Sequence, residues 1–124
     1  MRVKHFRDLL VWQKAMALAR QVYSLTGKFP KEEVFGLSSQ MRRAAVSVPS
    51  NIAEGQGQLT DKGFALYLSR ARGSLYELET QAVLAESLGF LSRPELEELL
   101  AAYDETARMV HGLLNSMKVP AAER

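Results

Sequence analysis

At 124 residues the chain has the length of one domain with room for a full core, and 47% apolar with 24% charged residues is an ordinary globular composition. It has no cysteine, which excludes disulfides, thiolate metal sites and cysteine nucleophiles, and fits a reducing compartment. A net charge of +2 does not announce a nucleic-acid binder, and no long apolar run suggests a signal peptide or a membrane span, so the chain reads as soluble, cytoplasmic and without a membrane partner.

The first helix is predicted from about Asp8 to Thr26. Leu9, Trp12, Met16, Ala19 and Tyr23 form one apolar seam, and Val11, Ala15, Leu18, Val22 and Leu25 form a second beside it. Together they make the broad face of a helix with more than one neighbour. Asp8 is the expected N-cap and Gly27 the expected left-handed stop. After a short turn at Pro30-Lys31-Glu32-Glu33, Gly36 precedes a second helix from Leu37 to about Gly55. Leu37, Met41, Ala44, Val48 and Ile52 share one face, while Gln40, Arg43, Ser47, Ser50 and Glu54 keep the same rhythm on another. Pro49 cannot donate to the carbonyl of Ala45, so the helix either bends there or stops at Val48 and restarts. The unbroken three-four rhythm favours the bend.

Gly55 to Leu59 reads as a glycine-punctuated turn, short enough to make the next helix antiparallel. Thr60 caps a third helix over about 61–88, with Phe64, Leu68, Ala71, Leu75, Leu78, Ala82 and Ala85 inside and a Schellman stop at Gly89. Ser92-Arg93-Pro94-Glu95 is a capping box with proline in the first turn. It opens a fourth helix over about 93–117, whose core is Leu96, Leu99, Tyr103, Val110, Leu114 and Met117. Its other face carries Asp104 and Arg108 at ion-pair spacing, then His111, Asn115 and Lys118, and a frayed tail is expected over 121–124. No stretch alternates as a strand does. The prediction is a single all-α domain over residues 1–124, an antiparallel up-down-up-down four-helix bundle.

The stretch Gln40 to Gly55, with Phe6-Arg7-Asp8-Leu9 and Trp12-Gln13-Lys14-Ala15 before it, resembles the four-helix-bundle proteins encoded in intervening sequences of bacterial 23S ribosomal RNA genes, also called an S23 ribosomal protein family. Tyr67-Leu68 and the run Gly73 to Thr80 are similar to that family's third-helix motif. The resemblance extends to about Leu91, and its most specific block is Ser47 to Gly55. It implies a bundle that assembles as a cyclic homopentamer without catalytic activity. A similar fold in the accessory protein of diversity-generating retroelements implies contact with nucleic acid.

The residues themselves narrow the chemistry. Ser47, Ser50, Asn51 and Glu54 sit on two turns of one helix with no nearby histidine or lysine to activate a hydroxyl, so no catalytic residue and no small-molecule substrate is assigned. Asn51 is read as fixing helix register, Ser47 and Ser50 as serving the backbone loosened by Pro49, and Arg43 and Glu54 as candidate contacts to another protomer. No Glu-x-x-His pair or Gly-x-x-x-x-Gly-Lys loop is present, so no metal and no cofactor is expected. Charge is uneven: through Leu75 twelve basic residues face five acids, +7, and from Tyr76 onward four face nine, −5. Two readings follow, a basic surface or halves that neutralise each other on packing. The candidate nucleic-acid residues are Arg7, Lys14, Arg20, Lys28, Arg42 and Arg43, with RNA or DNA as the anionic partner. The competing class is a protein-interaction scaffold, for which Trp12, Tyr23 and Tyr76 are the aromatics to inspect, at least two being expected in the core.

Overall fold

The computed structural model describes residues 5–117. Four long helices fill them: α1 (Leu10–Thr26), α2 (Leu37–Gln56), α3 (Asp61–Ser87) and α4 (Arg93–Ser116), with single 3-10 turns at Phe6–Asp8 and Lys31–Glu33. No strand occurs among the described residues. Helix α1 packs on α2 and α4, and α3 packs on α2 and α4, so the last helix closes on the first. This is the expected all-α up-down-up-down bundle. Lys118 and the 121–124 tail lie outside the described residues.

One continuous core runs through the four helices. Val11, Ala15, Leu18 and Val22 come from α1, and Met41, Ala44, Val48 and Ile52 from α2. Leu68, Leu75 and Leu78 of α3 meet Leu96, Leu99, Tyr103, Val110 and Leu114 of α4. Burying each such aliphatic side chain contributes about 1.5–3 kcal/mol before chain entropy is subtracted. Thr106 completes the α4 stripe between Tyr103 and Val110; its hydroxyl donates to the Ala102 carbonyl at 3.1 Å, which lets a polar residue occupy a core position.

Several helix ends follow the sequence. The Thr60 hydroxyl accepts from Gly63 N at 3.0 Å. Ser92 and Glu95 form both halves of the capping box, Ser92 N donating to Glu95 Oε1 at 2.8 Å and Glu95 N to Ser92 Oγ at 3.2 Å. Helix α3 ends with Gly89 at φ 82, Phe90 N donating to the Ala85 carbonyl and Gly89 N to that of Glu86.

Other ends differ. Asp8 does not cap α1: it lies in the 3-10 turn, and Leu9, with extended backbone and no side-chain cap, precedes the helix. Gly27 keeps right-handed helical angles (φ −61), because Lys28 N and Phe29 N continue bonding back to Leu25 and Thr26. Gly55 belongs to α2 and not to the turn. Helix α2 passes Pro49 without interruption, which removes the stop-and-restart alternative.

Candidate functional site

The second seam of α1 points into the core through Val11, Ala15, Leu18 and Val22, whereas of the first only Ala19 is buried there and Leu9 and Trp12 lie at its margin. Trp12, Met16 and Tyr23 face outward toward Val46, Pro49 and Ala53 of α2. With Phe6, Ala19, Arg20 and Ser50 they line an open apolar groove of about 660 Å³ between the two helices. Phe6 meets the Trp12 ring edge-on at 5.4 Å, so the 3-10 turn forms one wall. Tyr23 is 46% exposed and Tyr76 50%, while Trp12 is only half-buried at the core's margin. The expectation that at least two of these three aromatics would be core residues is therefore corrected. Periodicity finds both α1 seams, but only the three-dimensional position of α4 decides which one is covered.

Past Tyr23 and Val46 the groove opens into a second depression of about 480 Å³, lined also by Val34, Ser39, Arg42, Arg43 and Ser47. Here Arg42 is engaged within the subunit. Its Nε donates to Thr26 Oγ1 at 2.8 Å and its Nη2 to the Tyr23 carbonyl at 3.3 Å, with the guanidinium 4.5 Å from the Tyr23 ring centroid. A cation on the last carbonyls of α1 meets the negative end of that helix, so Arg42 pins α2 to α1.

The other basic residues divide by their surroundings. Lys14 pairs with Glu105 of α4 at 2.9 Å, and Lys28 lies 3.7 Å from Glu95. The neutralising reading of the charge asymmetry thus holds on this flank, where acids of α4 meet Lys14 and Lys28. Arg20 and Arg43 are exposed, and among the described residues neither has a carboxylate partner. Arg7 is exposed in the 3-10 turn, its Nε donating to His5 Nδ1 at 3.2 Å. The six candidate residues consequently do not form one patch. The Asp104–Arg108 pair read from spacing does not form, and Arg93 instead bridges Glu86 and Glu97 at 3.8 and 3.4 Å.

On the α3 side of α2 lies the polar set. Asn51 Nδ2 donates to the Ser47 carbonyl at 2.8 Å and to Ser47 Oγ at 3.0 Å, and that hydroxyl lies 2.8 Å from Ser74 Oγ on α3. The chain of bonds ties α2 to α3. Ser50 faces the apolar groove, and Glu54 is exposed. A Cβ on Gly55 would come within 2.8 Å of Phe64 Cδ1 and 3.0 Å of Tyr67 Cβ, so this glycine marks the closest approach of α2 to α3. Pro49 is buried beside Val48. Among the described residues no group of three or more histidines and carboxylates is placed to hold a metal, and no helix is long and apolar enough to cross a membrane.

Comparison with known proteins agrees with this architecture. A sequence model of 23S rRNA-intervening sequence proteins matches residues 7–112. Among solved structures, a protein of unknown function from the S23 ribosomal protein family of Bacteroides thetaiotaomicron superposes with a TM-score of 0.79 at 20% identity, over 85% of this chain and 98% of that one. At that identity the likeness is one of fold. No curated protein matches.

Proposed function

The chain belongs to the 23S rRNA-intervening sequence protein family, and from that premise we propose that it is a non-catalytic, self-assembling protein that binds RNA or DNA weakly and without sequence preference. Five copies in a ring is the assembly that the family resemblance implies. The observation that carries the binding is the uneven neutralisation of the basic residues: Lys14 and Lys28 are matched by α4, whereas Arg20 and Arg43 on the α1–α2 side have no carboxylate partner among the described residues. One such pair gives little affinity. Repeated around a ring, weak phosphate contacts act together and their affinity compounds.

The test is a titration with a generic single-stranded oligonucleotide at several salt concentrations. Binding should weaken as salt rises, and the Arg20→Glu/Arg43→Glu variant should lower the salt slope by about 0.7 for each lost phosphate contact. Lys14→Ala/Lys28→Ala should leave that slope unchanged. Absence of binding at low salt, or binding indifferent to salt, removes the reading.

A second reading, a protein-interaction scaffold, is favoured by the 660 Å³ apolar groove and by Phe35 and Leu59, 96% and 99% exposed at opposite ends of α2. Sedimentation separates the two, since a pure scaffold keeps its mass when oligonucleotide is added and a binder shifts.

A further inference from the structure

On the opposite edge of the bundle, where α3 meets α4, a second set of side chains converges. Arg72 and Tyr76 stand one turn apart on α3, and His111 and Asn115 one turn apart on α4. Arg72, His111, Leu114 and Asn115 line a notch of about 180 Å³, floored by the buried side chain of Leu114. Tyr76 Oη lies 3.5 Å from His111 Nε2, and the two rings meet edge-on at 6.5 Å. We infer that this notch is a binding site for a phosphate oxyanion.

The donor inventory supports the assignment. Arginine offers a planar fork of N–H groups, asparagine two amide hydrogens and histidine a ring N–H. Tyr76 lies outside the lining, and its bond with His111 Nε2 uses one donor of that pair and orients the ring. No carboxylate lines the notch. Glu79, three residues beyond Tyr76, acts on the buried Tyr103 phenol, whose pKa burial chiefly raises and Glu79 raises further. Arg72 itself is half-buried yet makes no ion pair or hydrogen bond among the described residues. Arg20, Arg43 and Arg108, which also lack a partner among the described residues, are exposed to water, and the others named are engaged: Lys14, Lys28 and Arg93 with carboxylates, Arg42 with α1, and Arg70 over the Tyr67 ring at 4.8 Å. A guanidinium held partly out of water with its donors unspent is matched by an anion that accepts bidentately. After a bidentate contact a tetrahedral phosphate has further oxygens, out of the plane of that contact, for donors arriving from the second helix, whereas a carboxylate has only in-plane lone pairs on the two oxygens already engaged. A volume of 180 Å³ is about six water volumes, enough for one such group and a few waters.

The site does not depend on the proposed function, because it shares no residue with the α1–α2 surface. Its phosphate has two sources, a phosphodiester in a nucleic-acid backbone or a free phosphate monoester or inorganic phosphate. The full chain, labelled for NMR, is titrated at constant ionic strength with inorganic phosphate and, separately, with a single-stranded RNA oligonucleotide. Saturable shifts at Arg72, Tyr76, His111 and Asn115 with inorganic phosphate support a free-phosphate site. Shifts there only with the oligonucleotide support a backbone phosphodiester. In either arm Arg72→Gln should weaken binding roughly tenfold, the loss expected for a charge-assisted hydrogen bond. His111→Ala should weaken it to a smaller degree. Arg20→Glu/Arg43→Glu should leave inorganic-phosphate binding unchanged, and with the oligonucleotide it should lower overall affinity without abolishing the shifts at Arg72 and His111. Thermal unfolding of each variant verifies the fold, and His111→Ala serves if Arg72→Gln unfolds. No saturation with either probe, or affinity unchanged in Arg72→Gln and His111→Ala, overturns the inference.

Discussion

At Gly55 two opposing effects can be weighed directly. Alanine is the better helix former by about 1 kcal/mol. Its methyl, however, would press on Phe64 Cδ1 at 2.8 Å and on Tyr67 Cβ at 3.0 Å, atoms held by a buried ring and by the α3 backbone. Overpacking of that kind costs roughly 1–3 kcal/mol. Gly55→Ala should therefore lower stability by about 1 kcal/mol in denaturant titration. Gly73 is the control: it is helical and exposed, and a Cβ there meets nothing within 4 Å. Gly73→Ala should raise stability by roughly 0.5–1 kcal/mol, because only propensity changes. Both substitutions stabilising would mean that α2 and α3 lie farther apart than described. The sequence shows Gly55 only as a helix exit; its neighbour across the interface, Phe64, is nine residues away, and nothing in local spacing reveals the contact. Tyr103 raises a related point. Glu79 acts on its buried hydroxyl, but no hydrogen bond to it is formed among the described residues, so Tyr103→Phe should cost no more than about 1 kcal/mol, measured by the same titration.

Among the elements, α4 has the most completely specified start. Hydrogen bonds from the Ser92 backbone and then its side chain, with the Lys28 ammonium adding, hold the Glu95 carboxyl below its ordinary value of 4.5. A depressed carboxylate stabilises the fold above its unfolded pKa, and that contribution is lost as pH falls through the folded one. The stability gap between the parent and Glu95→Gln should thus be constant near neutrality and close below about pH 4.5. Thermal melts across that range measure it, and a gap independent of pH would rule out the carboxylate's part. Caps of this kind were readable because a box, a proline and a Schellman glycine are local chemistry. The start of α1 was not, since Asp8 is drawn into the 3-10 turn whose His5 ring accepts from Arg7 N. Likewise the periodicity of α1 announces two apolar seams, and the choice of the Val11-to-Val22 seam for the core belongs to the packing of four helices together.

For the whole molecule, the six basic residues named from sequence form a set only in sequence. Folding sends Lys14 and Lys28 to the acids of α4, makes Arg42 a tie between α1 and α2, and leaves Arg20 and Arg43 outward. Summed charge could not show this, because it depends on which helices become neighbours. The exposed ion pairs should matter little one at a time, each contributing about 0–1 kcal/mol.

Their positions matter in another way. Lys14 of α1 meets Glu105 and Lys28, just beyond that helix, meets Glu95, so the two pairs run in opposite directions along the antiparallel chains and mark their relative position. Slide α4 by one turn of about three to four residues and Lys14 would confront Ala101 and Ala102 or Arg108 and Met109, while Lys28 would meet Ser92 or Glu98. Neither misalignment offers Lys14 an acid, so a contact that adds little strength can still tell the correct sliding position from its nearest rivals.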